Sequence, residues 1–198
     1  MFVTFEGVDG SGKSTQARLL AQALRAEGRE VVQTREPGGT RLGEKVRELL
    51  LHGEELSPWA EAALFAAARA QLVAEVVRPA LERGADVVCD RYLDSSLAYQ
   101  GLARSLGVEP VLELNLLATG GLLPDRTFLI RVSPAEAASR RDGAGDRIER
   151  EGRAFAEEVA RAYDELAGRF GERVVVVEGG GKPEDIAREI RGHLRDLS

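Results

Sequence analysis

The sequence predicts an α/β protein built on a five-stranded parallel sheet, doubly wound, with helices on both faces. Short apolar runs alternate with longer helical patterns along the chain, and strands separated by helices imply parallel crossovers. The length of 198 residues is enough for one well-buried core and does not favour a second. No internal repeat, linker or low-complexity segment stands out, so we expect a single domain over residues 1–198.

Five short segments predict the strands, because they combine apolar or β-branched residues with turn residues beyond their ends. The first stops before Glu6-Gly7, and Pro37-Gly38-Gly39 follows the second. The predicted strands are residues 2–5, 31–34, 86–89, 127–132 and 173–177.

Seven segments between and after the strands carry helical patterns. Gly28 ends the first of them, whereas Pro58 suits the first turn of the third and Gly84 its end. The predicted helices are residues 13–27, 42–51, 58–83, 94–103, 110–118, 148–170 and 183–194.

Composition and charge exclude several classes of protein. The chain is 43% hydrophobic and 30% charged, as in an ordinary globular protein, and its net charge of −6 without a basic stripe argues against a nucleic-acid binder. A single cysteine, Cys89, excludes an internal disulfide, and its apolar surroundings favour a packed thiol over a reactive one. Neither a secretory signal nor a membrane-spanning run is visible, so we expect no membrane partner and a cytoplasmic location.

Residues 7–14 match the pattern G-x-x-x-x-G-K-[ST] in full, between a predicted strand and a predicted helix. Glycines let the backbone N–H groups face phosphate oxygens at the start of the helix. Lys13 can then reach the β- and γ-phosphates, and Ser14 can ligate Mg²⁺. This predicts a P-loop NTPase fold. The residues expected to bind ATP are Gly7, Val8, Asp9, Gly10, Ser11, Gly12, Lys13, Ser14 and Thr15.

The end of the third strand narrows the class of P-loop protein. No Asn-Lys-x-Asp motif of a guanine-specific GTPase is present, and the strand ends in Asp90-Arg91-Tyr92 rather than in the paired acids of a motor ATPase. Asp90 can hold a magnesium-bound water, while Arg91 can bind a second phosphate. The pair suits transfer between two phosphorylated ligands.

Five segments, in order from residue 5 to residue 149, add a family resemblance. They read FEGVDGSGKSTQ at 5–16, TREPGGT at 34–40, LFAAARAQ at 64–71, DRY at 90–92 with YQG at 99–101, and DRIE at 146–149. Together they resemble thymidylate kinases of the bacterial type, in which the lid supplies catalytic arginines. The resemblance implies a nucleoside monophosphate kinase-like fold, dTMP and ATP as substrates with Mg²⁺, and a homodimer.

Phe65 and Arg69 are four residues apart on one predicted helix and so share a face. Taken alone, Phe65 reads as a core aromatic and Arg69 as a solvated surface charge. The resemblance instead implies that Phe65 stacks on thymine and that Arg69 donates to its carbonyl oxygens.

The resemblance assigns the rest of the acceptor site as well. Arg91 would pair with the dTMP phosphate, Asp9 would lie near the 3′-hydroxyl and phosphate, and Tyr99 would crowd the 2′ position. A cis peptide is expected at Glu36-Pro37. The full set expected to bind substrate is Asp9, Glu36, Pro37, Phe65, Arg69, Arg91, Ser96, Tyr99 and Gln100.

Catalysis would need no general base, because a phosphate is already a competent nucleophile. Lys13, Arg91, Asp9, Mg²⁺ and lid arginines would position and neutralise the transferring group. Because the phosphate loop carries Gly10, we expect the lid, residues 134–149, to supply the arginine. Its candidates are Arg140, Arg141 and Arg147. A solvated, flexible charged loop is the alternative interpretation of that segment.

The predicted helix 58–83 is apolar on more than one face, which favours a homodimer. The alternative is that helices of the same chain cover this apolar surface.

Two other functions stay open. One is a different P-loop nucleoside monophosphate kinase or a deoxynucleoside kinase, in which Glu36 would act as base. The other is a non-catalytic nucleotide-binding switch, against which Lys13, Ser14 and Asp90 count.

Overall fold

The computed structural model describes residues 1–140 and 146–195. Its described part contains one all-parallel sheet in the order β2-β3-β1-β4-β5, as expected. The strands are β1 Phe2–Glu6, β2 Val31–Arg35, β3 Asp86–Asp90, β4 Arg126–Arg131 and β5 Val174–Glu178.

Helices occupy the segments between the strands and after the last one. They are α1 Lys13–Ala26, α2 Arg41–His52, α3 Pro58–Leu72, α4 Arg78–Glu82, α5 Leu93–Ser96, α6 Val108–Thr119, α7 Pro134–Ser139, α8 Arg153–Arg169 and α9 Pro183–Gly192. Two π-helical segments, Val73–Val77 and Leu97–Ala103, and a 3₁₀ turn, Glu149–Glu151, complete the described helical structure.

The central strand β1 is buried along its whole length, and its side chains alternate between the two faces of the sheet. Val3 and Phe5 pack with α1 and α9, while Phe2 packs with the helices of the opposite face. Glu6 lies four residues after Phe2, so its side chain is on the same face of the sheet. The alternation therefore directs a carboxylate into the apolar layer between the sheet and α8, where it must find partners.

Two long predicted helices are interrupted in the structure. The helix expected over 58–83 is α3, the π-helical segment Val73–Val77 and α4. Pro79 lies just beyond the wide turn, and its missing N–H and its ring oppose a regular α-helical turn there. The helix expected from residue 148 begins only at Arg153, because Gly152 has φ of 91° and separates it from the 3₁₀ turn.

Two further details differ from the expectations. Glu6 belongs to β1 rather than to the turn after it. Helix α7 lies in the segment expected to form the lid, where no helix was predicted. Ser133 accepts a hydrogen bond from the backbone N–H of Glu136 at 3.2 Å and Pro134 opens the helix, so Ser-Pro-Ala-Glu is an N-terminal capping signal visible in the sequence.

Cys89 is fully buried in β3, as expected for a packed thiol. Burial in apolar surroundings raises the pKa of Cys89 well above its ordinary value, which disfavours the reactive thiolate. Across residues 1–140 and 146–195, no helix has the length and apolar character that crossing a membrane requires.

Candidate active site

The predicted site residues meet at one edge of the sheet because the carboxyl ends of parallel strands lie side by side. Strand β1 pairs with β3 on one side and with β4 on the other, so the connections that leave β1 and β3 flank a crevice. The phosphate loop follows β1, and Asp90-Arg91 ends β3. Their proximity is a consequence of strand order.

The phosphate loop makes a tight turn into α1, which begins at Lys13. Gly7 has φ of 139°, and a Cβ there would lie 2.6 Å from the carbonyl oxygen of Ile130; only glycine fits. Beside the loop runs a groove of about 470 Å³ whose other wall includes Arg140, Gly179 and Pro183. We call it the nucleotide groove, because the phosphate loop is expected to bind ATP. The turn between β5 and α9 also lines this groove, which the sequence reasoning had not assigned.

One carboxylate joins the two cations expected to bind phosphates. Lys13 Nζ donates to Asp9 Oδ1 at 3.0 Å, and Arg91 Nη2 donates to the same oxygen at 2.7 Å. Burial opposes the charge on Asp9, but Arg91 and Lys13 outweigh it and hold the pKa of Asp9 well below its usual range. Burial and the neighbouring Arg91 lower the pKa of Lys13. Asp9 is therefore the shared counter-ion of the two cations expected to bind phosphates.

Arg91 has a backbone φ of 69°, in the left-handed region that residues other than glycine seldom adopt. Its Nη1 donates to Ser95 Oγ at 3.0 Å and to Tyr163 Oη at 3.1 Å, opposite the bond to Asp9. Tyr99 Oη lies 3.4 Å from Nη2. The surrounding bonds over-determine the position of the guanidinium.

Glu6 lies behind Arg91 and directs both hydroxyls. Its Oε2 accepts from Ser95 Oγ at 2.6 Å and from Tyr163 Oη at 2.9 Å, while Oε1 accepts from the backbone N–H groups of Tyr92 and Ser95. Because both hydroxyl protons point at Glu6, their lone pairs face Arg91. Sequence reasoning missed Glu6, Ser95 and Tyr163; the acid inside an apolar strand was the available signal for Glu6.

Against this cluster lies a second cavity, of about 80 Å³, which we call the acceptor pocket. It brings together all but one of the residues expected to bind substrate, namely Asp9, Glu36, Pro37, Phe65, Arg91, Ser96, Tyr99 and Gln100. The Glu36-Pro37 peptide is cis, as expected. Arg47 also lines the pocket and donates to the carbonyl of Pro37 at 3.0 Å; the sequence reasoning had not named it.

Arg69 is the exception, since it lies one layer behind the pocket and is only 1% exposed. Its guanidinium donates to Glu36 Oε2 at 2.7 Å, to Ser96 Oγ at 3.1 Å, to the carbonyl of Tyr92 at 3.0 Å and to Asn115. The surface-charge interpretation is wrong. In this structure Arg69 braces two pocket residues, and its direct contact with thymine stays a prediction.

The two described lid arginines contact different parts of the molecule. Arg140 lies over the nucleotide groove, where its guanidinium donates to the carbonyl of Gly179 at 3.0 Å and approaches that of Ser11 at 3.4 Å. Arg147 points away from the phosphate loop, donating to the carbonyl of Leu50 at 2.8 Å and to Glu61 at 2.5 Å. Arg141 lies outside the described residues. Of the two described candidates, Arg140 is the better placed for ATP, and both catalytic roles stay predictions.

The residues expected to serve a metal fit a magnesium ion held mainly by substrate. Asp90 Oδ1 is buried and has no hydrogen-bond partner among the described residues, as a group that accepts from a metal-bound water would require. Ser14 is exposed at the first turn of α1. Within residues 1–140 and 146–195 no group of three His, Cys, Asp or Glu side chains is arranged so that it could hold a metal ion by itself. Mg²⁺ typically keeps several waters and phosphate ligands rather than an all-protein cage.

The family model of thymidylate kinase matches residues 5–190. The chain belongs to the thymidylate kinase family. Thymidylate kinases of Bifidobacterium longum and Clavibacter sepedonicus are 48% and 51% identical to it, over 100% of this chain and 98% and 95% of theirs. The crystal structure of thymidylate kinase from Ehrlichia chaffeensis, 33% identical, matches with a TM-score of 0.79 over 98% of both chains.

Membership in the thymidylate kinase family confirms four expectations drawn from the sequence. They are the family itself, the nucleoside monophosphate kinase-like P-loop fold, an ATP-dependent nucleoside monophosphate kinase as the class of enzyme, and thymidylate kinase as the function. The roles of individual site residues are not decided by this membership, and they rest on the geometry described above.

The buried carboxylate of Glu6 predicts a pH dependence of stability. Burial, and secondly the nearby Asp94, raise the pKa of Glu6 to about 7. A folded-state pKa above the unfolded value of about 4.5 gives stability that is present at low pH and lost as pH rises towards 7. The free-energy difference of unfolding between the wild type and Glu6→Gln should therefore fall by about 3 kcal/mol across that window.

Denaturant unfolding at pH 4.5 and at pH 7.5 measures this difference, and Glu165→Gln, at an exposed position on α8, serves as the control for losing one carboxylate. A wild-type-minus-variant difference that stays constant with pH would contradict the raised pKa of Glu6.

Proposed function

We propose that this chain transfers the γ-phosphoryl group of ATP to dTMP, giving dTDP and ADP. One observation carries the proposal: Lys13, in the nucleotide groove, and Arg91, in the acceptor pocket, bind the same oxygen of Asp9 at 3.0 and 2.7 Å. Two phosphate-binding cations are thus adjacent, each facing its own cavity. That is the arrangement that transfer between two phosphorylated ligands needs.

The chemistry rests on positioning and charge. The acceptor phosphate needs no base, so the chain's task is to hold the two phosphates in line and to neutralise the transferring group. Lys13 and the phosphate-loop N–H groups would hold the donor, Arg91 would hold the acceptor phosphate, and Arg140 would approach the donor from the lid. Mg²⁺, held by the ATP phosphates with Ser14 and a water on Asp90, would supply further positive charge.

The other end of the acceptor pocket would hold the nucleoside. Phe65 offers a ring for stacking on the base, and Gln100 offers a polar edge beside it. Tyr99, whose hydroxyl lies 3.4 Å from Arg91, would lie where a ribose carries its 2′-hydroxyl and so favour deoxyribose. Ser96 and Glu36, both bonded to Arg69, complete the wall.

One observation favours the alternative of a deoxynucleoside kinase. Burial raises the pKa of Glu36, and its Oε1 has no hydrogen-bond partner among the described residues, so it could accept a proton. Arg91 lines the acceptor pocket and already binds one anion, the carboxylate of Asp9. A cation in that place favours an acceptor that carries a phosphate. A panel of dTMP, dUMP, dCMP, AMP and thymidine, each with ATP, distinguishes the two.

We also propose that two copies pack through α3 and α6. The structure buries Ala62, Ala66, Leu72, Val73 and Val77 within the chain itself, so the exposed apolar surface along residues 58–83 is smaller than expected. A stripe of Trp59, Ala63 and Ala67 stays exposed at four-residue spacing, and Leu117 of α6 is 77% exposed. Such a stripe favours an interface between copies.

The expected cytoplasmic location, the absence of nucleic-acid and membrane partners and the single domain stay predictions.

Replacing Lys13 tests the phosphate-loop assignment. Lys13→Met keeps the aliphatic length but removes a charge that gains value in the transition state. We expect a folded protein whose kcat with ATP and dTMP falls by roughly 10³-fold or more. Lys45→Met, at an exposed position of α2, should retain wild-type turnover. Normal turnover by folded Lys13→Met would rule out the assignment.

The two described lid arginines predict unequal kinetic effects. Arg140→Ala should lower kcat by roughly 10³-fold with a modest change in the KM for ATP, as loss of an arginine finger does. Arg147→Ala, which removes a bond to Glu61, should leave the chemical step far less affected. Single-turnover kinetics of both variants measures the step; the reverse order would assign the catalytic charge to Arg147.

The dimer is tested by the mass in solution. Light scattering at micromolar concentration should give twice the chain mass of 21.4 kDa. Ala63→Arg places a charge in the exposed stripe and should reduce the mass to that of one chain, because an unpaired buried charge is costly. Ala26→Arg, at an exposed position of α1, should not. A wild-type mass near one chain refutes the dimer.

A further inference from the structure

A buried carboxylate on α3, Glu61, lies behind the acceptor pocket and has no part in the site as described so far. It is 1% exposed and accepts hydrogen bonds from three side chains. Gln100 Nε2 donates to Oε1 at 2.9 Å, Arg147 Nη2 to Oε2 at 2.5 Å, and Arg104 to both oxygens at 3.3 and 3.4 Å. Two of these donors are cations, and the third belongs to the pocket wall.

The two arginines keep Glu61 in its charged form. Burial by itself would raise the pKa of Glu61, but the bonds from Arg147, Gln100 and Arg104 outweigh it, and the pKa lies below the ordinary value. An ionised carboxylate accepts hydrogen bonds and cannot donate them. Whatever side chain faces Glu61 must therefore present a donor.

This requirement fixes the orientation of the Gln100 amide. The NH₂ end faces Glu61, so the carbonyl oxygen Oε1 lies at the other end of the amide plane. No described residue donates a hydrogen bond to Oε1, and Gln100 lines the acceptor pocket together with Phe65. Gln100 therefore presents its acceptor oxygen in a defined place, at the end of the pocket where a base would stack.

We propose that Glu61 determines which pyrimidine the acceptor pocket accepts, because it locks the Gln100 amide with its oxygen towards the base. The inference rests on the proposed function, in that the acceptor is a pyrimidine deoxynucleoside monophosphate. Glu61 acts through Gln100 and is a positioning residue. The ligand chemistry that suits the locked amide is an imide N–H flanked by carbonyl oxygens.

A glutamine that rotates freely cannot make this distinction. Turning its amide by 180° exchanges donor and acceptor at nearly the same positions, so it can pair with thymine, which offers N3–H and O4, or with cytosine, which offers N3 and an amino group. Once Glu61 holds the NH₂ end, Oε1 of Gln100 can only accept a hydrogen bond from the base, and N3–H of thymine or uracil supplies the donor. Cytosine would then set its N3 lone pair against Oε1 and leave buried polar groups unpaired, which costs affinity.

The test compares three acceptors, dTMP, dUMP and dCMP, in wild type and in Glu61→Gln. The substituted amide can donate to Oε1 of Gln100 as well as accept from its NH₂, so the lock is lost with little change in shape. We expect the ratio of kcat/KM for dTMP over dCMP to fall roughly ten- to a hundredfold. The dTMP-over-dUMP ratio should not change, because these bases have the same hydrogen-bonding edge and differ in one methyl group.

Glu151→Gln is the matched control. Glu151 is exposed and accepts from Arg104 at 2.7 Å, so this variant loses a charge from the same cluster without touching Gln100. Both substrate ratios should stay at the wild-type value. A purely structural effect of Glu61 would lower all three acceptors together and leave both ratios unchanged.

The outcomes separate the inference from the function on which it rests. A wild type that prefers dTMP, together with a folded Glu61→Gln that keeps the wild-type dTMP-over-dCMP ratio, overturns the inference alone. A wild type that phosphorylates none of the three acceptors overturns the proposed function. If Glu61→Gln does not fold, Gln100→Leu replaces it: the inference requires this variant to lose the same discrimination, and retained discrimination overturns it.

Discussion

The bond between Arg91 and Asp9, 2.7 Å long, is the interaction on which the rest of the site depends. It ties the loop after β1 to the residue that follows β3, and it does so with a charge on each side. A largely buried guanidinium needs partners for its donors, and Ser95 and Tyr163 accept from its Nη1. Glu6 holds both hydroxyls in turn, so a carboxylate inside the central strand sets the geometry of a cation at the surface of the crevice.

This arrangement also explains how the site holds its two cations. Lys13 and Arg91 share the single negative charge of Asp9, which holds both side chains in place. Dipoles and charges that are in place before the reaction cost no reorganisation during it, which is the main source of electrostatic catalysis. The second layer of Arg69 behind Glu36 and Ser96, and of Glu61 behind Gln100, serves the acceptor pocket in the same way.

Most of the pocket wall could be predicted from the sequence, because residues such as Phe65 and Tyr99 belong to short segments that resemble a family with a known site. The sequence did not predict which partners the buried charges have. Arg69 shares a helical face with Phe65, yet its partners Glu36 and Asn115 are 33 and 46 residues away. Arg147 resembles a lid arginine by position, but its partner Glu61 is 86 residues away on α3.

The sequence by itself determined the local units: the phosphate loop between strand and helix, the order of strands and helices along the chain, and the cis Glu36-Pro37 turn implied by family resemblance. Those features depend on backbone periodicity, glycine conformations and short motifs, which neighbouring residues decide. Only the tertiary structure decided the partners of Glu6, Arg69, Glu61 and Arg147. Burial obliges each of these charges to find a partner, but which partner it finds depends on how segments far apart in the chain pack against each other.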